Sequence, residues 1–248
     1  MDSHFFGHME SHYQLLCTWI DFVRGDFTLQ RKKETRSMQI TFEIKIPIGS
    51  LTMRNREETM GIILHQAGGL FNSHGYKATS IGHITAASGF TKGAIYRHFK
   101  SKEKLEEEAL GYLTGVMFEN LKNRIKTQKN AGDKLRSIVS FFESYISKPP
   151  IKGGCPLLNV AVEADDSSPQ LRKKANSILE ILKNSISHIL TKGIEYGQIK
   201  KTIDKNYFAT VMIATLEGGI MMSKLSRTDK DIRIVIKHLE GLINEIEV

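Results

Sequence analysis

The chain has 248 residues, of which 40% are hydrophobic and 25% charged, and its net charge is +8. These proportions are typical of an ordinary soluble globular protein with one large domain, or a small one and a larger one. Cys17 and Cys155 lack metal-ligand spacing and are too few for a disulfide framework, so we expect a reducing cytoplasm. No apolar run reaches the ~20 residues of a membrane span. The N-terminus also lacks the basic and apolar segments of a signal peptide.

Residues 1 to 52 differ from the rest of the chain. They combine a helix-like stretch, YQLLCTWIDFV, with the strand-like alternation of MQITFEIKIPI, and neither has an obvious partner. Their six basic and six acidic side chains cancel, which argues against an arm that touches DNA. We predict that this segment is an extension: either a real appendage or translated upstream sequence from a misplaced start. We favour the second, because Met53 directly precedes the first regular helix.

Residues 56 to 101 carry three helical patterns in close succession. An apolar stripe from Ile62 to Phe71 predicts the first helix. In the second, Ser80 is the expected N-cap, and Ile81, Ile84 and Ala87 are predicted to face inward.

The second and third helices are separated by a short turn. Gly89 suits a positive-φ turn position, and Phe90 is expected to fill the joint between the helices. Thr91 opens the third helix, with Ile95 and Phe99 turned inward. This arrangement predicts a helix-turn-helix unit.

The outer face of the third helix has the side chains of a DNA-reading helix. Residues 53 to 103 hold seven basic and three acidic side chains, a local net charge of +4 that suits a polyanion partner. We predict base contacts from the start of the helix and phosphate contacts around it, against the alternative of a solvated polar face. The candidates for base edges are Thr91, Lys92, Gly93 and Arg97, and those for phosphates are Tyr96, His98, Lys100 and Lys102, with Thr79 and Ser80 at the start of the preceding helix.

The run TSIGHITAASGFTKGAIYRHFKSKEKL, preceded by ILHQAGGLFNSHGYKA, resembles the TetR family of bacterial transcription regulators over about residues 54 to 105. The resemblance implies that Thr91 to Gly93, Tyr96, His98 and Lys102 contact double-stranded operator DNA. It also implies a homodimer whose C-terminal helices enclose a small-molecule cavity. Thr85 departs from the alanine that is more frequent in the family, and its hydroxyl can bond back to the helix backbone.

Helical periodicity continues to the C-terminus. Ser101 is expected to cap a long helix that ends near residue 127, and further helices are predicted over 132 to 147, 169 to 192, 206 to 225 and 231 to 246. We therefore predict an all-α protein with a helix-turn-helix domain at 53 to 101 and a helical ligand-binding and dimerisation domain at 102 to 248. The sequence shows no Ser-His-Asp order, no phosphate-binding glycine loop and no metal-ligand spacing, so we expect neither an enzyme nor a cofactor.

The predicted cavity has candidate lining residues, although such side chains are more often ordinary core. They are Tyr112, Met117, Phe118, Phe141, Phe142, Tyr145, Leu158 and Met212. We interpret Cys155 as a small apolar side chain that fills space in the core, in preference to the alternative of a redox-sensing thiol. The carboxylates of Glu163, Asp165 and Asp166 are expected to be solvated or paired with lysine rather than to hold a cation.

Two apolar helices near the C-terminus predict the subunit interface. Residues 207 to 222 are apolar on more than one face, and the glycine pair there lets helix backbones approach closely. We expect a two-fold, four-helix interface made from Met212, Thr215, Gly218, Gly219, Met222, Val235, Leu239, Leu242 and Ile243. The sequence as a whole predicts a ligand-responsive repressor on a pseudo-palindromic operator. The alternatives are a DNA binder without a ligand and an architectural DNA protein.

Overall fold

The computed structural model describes residues 56–147, 149–164 and 168–248, so the prediction for residues 1 to 52 lies outside the described residues. Within these ranges the regular structure consists of helices, which confirms the predicted all-α fold. The helices are α1 (Arg56–His74), α2 (Ile81–Ser88), α3 (Lys92–His98), α4 (Lys102–Ile125), α5 (Ala131–Ser147), α6 (Pro156–Glu163), α7 (Pro169–Glu195), α8 (Lys205–Ser226) and α9 (Lys230–Ile246).

The caps of the N-terminal helices are those that the sequence predicts. Ser80, Thr91 and Ser101 each accept a hydrogen bond from the backbone three residues on, which fixes where α2, α3 and α4 begin. Gly89 ends α2 with φ +72°, in the left-handed region. Because these caps set the turn between α2 and α3, they also set the direction in which α3 presents its outer face.

One predicted core position of α2 is wrong. Ile81 and Ile84 are buried, but Ala87 is exposed. Three residues advance an α-helix by about 300°, so each three-residue step falls about 60° short of a full turn. After two such steps Ala87 has rotated away from the core. The hydroxyl of Thr85 donates to the Gly82 carbonyl at 2.7 Å, as predicted.

The long helix α4 joins the N-terminal helices to the rest of the molecule. It packs against α1 on one side and against α5 and α7 on the other. At Gly68 a Cβ atom would lie 3.1 Å from the Leu113 side chain, so this glycine lets α1 and α4 approach closely. The three-helix unit is therefore mounted directly on the larger helical body.

The helix α8 lies in the middle of that body, between α7 and α9 and against α5. Among the described residues it alone is long and apolar enough to cross a membrane, by length and composition only, with a mean hydropathy of 1.2. Its inner residues Phe208, Met212 and Leu216 are buried against neighbouring helices. These contacts identify α8 as a core helix.

Candidate DNA-binding surface and ligand cavity

The outer face of α3 is exposed over the residues that the sequence singled out. Ile95 is buried, and Phe99, directly after the helix, is buried with it. On the opposite side Thr91, Lys92 and Gly93 are exposed at the start of α3, and Tyr96 and Arg97 are exposed one turn later. The Lys92 ammonium lies 5.9 Å from the centre of the Tyr96 ring, a cation–π distance. The predicted base contacts thus share one solvent-facing surface.

The lysines that are predicted to contact phosphates differ in their solvent exposure. Lys100 is exposed. Lys102 is half-buried: its Nζ donates to the Tyr76 carbonyl at 2.8 Å and lies 3.3 Å from Glu106 Oε1. Lys102 therefore has a structural role in the turn between α1 and α2, beside any contact with DNA.

The surroundings of His98 disfavour its charged form. Burial, followed by the charges of Arg56 and Arg97, lowers the pKa of its imidazole from 6.5. Its Nδ1 is buried and has no hydrogen-bond partner among the described residues.

Thr79 and Ser80 differ in solvent exposure. Thr79 is buried, and both its amide and its hydroxyl donate to the Gly75 carbonyl, at 3.2 and 2.7 Å. Ser80 is exposed and also caps α2. The structure thus places Thr79 inside the fold and leaves Ser80 at the surface.

The residues predicted for the subunit interface fall into an inner and an outer group. Met212, Gly219, Leu239 and Ile243 are buried within their own subunit. Thr215, Gly218, Val235 and Leu242 are half-buried, and Met222 is 48% exposed.

The close approach predicted for the glycine pair occurs at Gly219, between α8 and α9 of one subunit. A Cβ atom there would lie 3.0 Å from the side chains of Ile232 and Val235. At Gly218 no atom would lie within 4 Å. Other large apolar side chains of the two helices point outward, and with Met222 they define what we call the α8/α9 face: Tyr207, Met221, Leu225 and Ile234.

An apolar cavity of about 450 Å³ lies between α6, α7 and α8. Leu157, Leu158 and Val160 form its wall on α6, and Leu179 and Ile213 face them from α7 and α8. Its polar lining comes from Arg172, Asn176, Lys183, Thr210 and Glu217. Its volume lies in the range of small-molecule sites.

Most of the aromatic residues predicted for the cavity lie in the core instead. Leu158 lines the cavity, whereas Met117, Phe118, Phe141 and Met212 are almost fully buried. Phe142 and Tyr145 stack with ring centres 5.5 Å apart, beside Phe141. Tyr112 lines a separate groove between α1 and α4, where its hydroxyl lies 3.3 Å from His65 Nδ1.

A polar cluster that was not predicted from the sequence lies beside the cavity, where Glu217 forms part of the lining. The Cys155 thiol donates to Glu217 Oε1 at 2.8 Å. Burial, then the charge of Glu217, raises the pKa of this thiol well above its usual value, so Cys155 is not a reactive thiolate. The available signal was Glu217 itself, an acidic residue inside an otherwise apolar helix.

A second polar contact joins the helical body to the helix-turn-helix unit. Glu163, at the end of α6, accepts hydrogen bonds from the amides of Tyr76 at 2.7 Å and Lys77 at 3.4 Å. Because Lys102 donates to the carbonyl of Tyr76, both the amide and the carbonyl of Tyr76 are hydrogen-bonded to side chains. Gly75, with φ +95°, makes room: a Cβ atom there would lie 2.7 Å from Glu163 Oε1.

The loop before α6 is tied to the same unit. Asn72 Nδ2, in the last turn of α1, donates to the carbonyls of Lys152 and Gly154 at 2.8 and 2.9 Å. Asn159 Nδ2 returns a bond to the Asn72 carbonyl at 3.0 Å. The helix α6 therefore borders the cavity and contacts the N-terminal three-helix unit through Asn159 at its middle and Glu163 at its end.

Two family models match the two parts of the chain. Residues 63–109 match the bacterial regulatory proteins of the tetR family, and residues 131–239 match the tetracyclin repressor-like C-terminal domain. A TetR transcriptional regulator from Chloroflexus aurantiacus J-10-FL is 34% identical, with a TM-score of 0.74 over 77% of this chain and 96% of its own.

Two further similar proteins are named by their function or their ligand. The HTH-type transcriptional repressor DhaR of Mycobacterium sp. (strain GP1) is 27% identical over 71% of this chain and 91% of its own length. The transcriptional regulator FadR from Bacillus subtilis, solved in complex with stearoyl-CoA, is 25% identical, with a TM-score of 0.61 over 73% of this chain and 96% of its own.

The exposed recognition helix, mounted on a helical body with a cavity, defines a DNA-binding regulator of the helix-turn-helix class. The chain belongs to the TetR family of transcriptional regulators.

Proposed function

We propose that the protein is a ligand-responsive repressor that acts in the cytoplasm, where its DNA lies. The observation that carries the proposal is that α6 connects the cavity with the DNA-reading unit, through Leu158 at one site and Glu163 at the other. The DhaR relative is a repressor and the FadR relative binds stearoyl-CoA, which supports both halves of the proposal. The reading unit is residues 53 to 101, and the helical body is 102 to 248.

The protein binds its operator as a homodimer through the α8/α9 face. Met221, Met222 and Leu225 are too large and too exposed to be left in water without a covering surface. A two-fold axis through this face repeats each residue on its partner. The two copies of α3 then enter successive major grooves about 34–36 Å apart, which requires a pseudo-palindromic operator.

A ligand releases the operator only if it binds the DNA-free form more tightly. The cavity wall on α6 moves with its occupant, and Glu163 carries the displacement to Tyr76 and so to α2 and α3. The alternative, a DNA binder without a ligand, gives the 450 Å³ cavity no role.

Selection of bound sequences from a random DNA pool tests the DNA half of the proposal. We expect the full chain to enrich an inverted repeat whose half-sites are one helical turn apart. Enrichment of a single half-site would reject the dimer, and no enrichment would reject the regulator. The selected operator then serves in a displacement assay with candidate effectors.

A further inference from the structure

Glu217 has an unsatisfied oxygen at the boundary between cavity and core. Its Oε1 accepts the Cys155 thiol at 2.8 Å. Its Oε2 is buried and has no hydrogen-bond partner in the ranges that the structure describes. A buried polar atom without a partner is unfavourable, so a ligand that supplies the missing bond gains affinity.

A second unsatisfied atom belongs to the same cluster. The hydroxyl of Tyr145 is buried and also lacks a partner among the described residues. Burial raises the pKa of Tyr145, and the charges of Cys155 and Glu217 raise it further. These three side chains therefore interact electrostatically. Of this cluster only Glu217 lines the cavity, so Glu217 is the group through which a ligand would meet it.

The charges around the cavity restrict what fits there. Burial raises the pKa of Glu217, which favours its neutral, protonated form. Arg172 and Lys183 line the same cavity and disfavour a cationic ligand. An anionic group placed against Glu217 would meet a second acidic group, in an apolar surrounding that disfavours any charge.

We propose that the effector is a neutral, mainly apolar molecule whose single hydroxyl or carbonyl oxygen bonds to Glu217. Its apolar body lies between Leu158, Leu179 and Ile213. Oε2 of Glu217 forms the hydrogen bond with the ligand oxygen, while the Cys155 thiol donates to Oε1 and holds the carboxyl in place. This inference rests on the proposed function, since it takes the cavity as the effector site.

Four probes with one ring system test the chemistry of the site by calorimetry on the full chain at pH 7. They are naphthalene, 1-naphthol, 1-naphthoate and 1-naphthylmethylammonium. We expect 1-naphthol to bind about tenfold more tightly than naphthalene, the equivalent of about 1.4 kcal/mol for one added hydrogen bond. Both charged probes should bind more weakly than 1-naphthol. Tightest binding by the cation or the anion, equal binding of all four, or no binding would overturn the proposal.

Two variants assign the effect to Glu217. Glu217→Leu should remove the preference for 1-naphthol over naphthalene, whereas the neutral Glu217→Gln should keep most of it. A preference unchanged in Glu217→Leu, or lost in Glu217→Gln, contradicts the assigned role. The control is Glu195→Leu, on α7, because Glu195 is exposed and neither it nor its ion-pair partner Lys192 lines the cavity.

Binding to the selected operator is measured on the same samples. Loss of probe selectivity with sequence-specific DNA binding intact would overturn this inference alone. Absence of sequence-specific DNA binding in the unaltered protein would overturn the proposed function instead.

Discussion

The Oε2 atom of Glu163 accepts the backbone amide of Tyr76 at 2.7 Å, although the two residues are 87 positions apart in the chain. This bond fastens the end of α6 to the turn that sets the orientation of α2 and α3. Lys102 holds the opposite side of the same residue through its carbonyl. The position of the reading unit therefore depends on a residue of the helical body.

Replacing Glu163 by alanine should loosen the reading unit without touching the DNA surface. Loss of a hydrogen bond to a charged group costs about 1.5–3 kcal/mol. We expect faster hydrogen exchange at the Tyr76 amide and about tenfold weaker operator binding. Glu180→Ala is the control, because Glu180 makes only an exposed ion pair with Lys183 at 3.5 Å. Unchanged exchange at Tyr76 would show that this bond does not hold the turn.

Replacing Gly93 by alanine should preserve the fold but weaken operator binding. No neighbour closer than Thr91 Oγ1, at 4.0 Å, would meet the added Cβ atom. Since alanine favours a helix over glycine by up to about 1 kcal/mol, stability should rise slightly. Operator affinity should fall at least about tenfold if the backbone approaches a base edge there. Gly69→Ala, where no atom would lie within 4 Å of the Cβ, is the control that should leave affinity unchanged.

The salt dependence of binding tests the phosphate contact of Lys102. Lys102→Ala should weaken binding to all sequences and reduce the slope of log affinity against log salt by about 1. Because Lys102 also bonds the Tyr76 carbonyl, affinity alone does not separate its two roles. A weaker but equally salt-dependent variant would reject the phosphate contact and leave the structural role. Lys237→Ala, an exposed position on α9, is the reference.

A charge on the α8/α9 face should separate the subunits. Met222 is 48% exposed and lies near Leu225, which is 80% exposed. Met222→Glu would bury a carboxylate in the proposed interface, so sedimentation at micromolar concentration should show a monomer. Operator affinity should then fall about a hundredfold or more, because one reading unit loses its linked partner. A dimer that persists in Met222→Glu, and not in the control Tyr196→Glu, would place the interface near the end of α7.

The pH dependence of stability should reveal the buried carboxyl of Glu217. Burial raises its folded pKa above 4.5, so the folded protein binds this proton more tightly than the unfolded chain does. The free energy of unfolding therefore carries a penalty that is absent below pH 4.5 and grows as pH rises to the folded pKa. Glu217→Gln removes the penalty. Urea denaturation should show its stabilising effect near pH 7 and lose it near pH 4, and a pH-independent difference would contradict the buried proton.

Local features of this fold were predictable because they act over a few residues. Ser80, Thr91 and Ser101 cap helices through bonds that span three positions, so their spacing alone identifies them. The exposed face of α3 followed from the burial of Ile95 and Phe99. Ala87 was misassigned because a three-residue period drifts from the true helical period.

The contacts that connect the two parts of the molecule were not predictable from spacing. Cys155 and Glu217 are 62 positions apart, and Lys102 and Tyr76 are 26 apart. Nothing in the helical pattern of either partner indicates the other, since each pair depends on how whole helices cross. For the same reason the sequence left both a core and a cavity position open for the aromatic residues near Phe141, with the core favoured, and they lie in the core.

The length of α6 sets how far its end would move for a given tilt in the proposed mechanism. Eight residues make a rod about 12 Å long, fixed at one end by Cys155 and at the other by Glu163. A small rotation of the helix about one end displaces its other end. A tilt of about 5° about its Cys155 end moves the far end by about 1 Å, enough to stretch the bond to Tyr76 beyond hydrogen-bonding distance. In the proposed mechanism, an effector would need to displace the cavity wall by only a fraction of an atomic radius to break the bond between Glu163 and Tyr76.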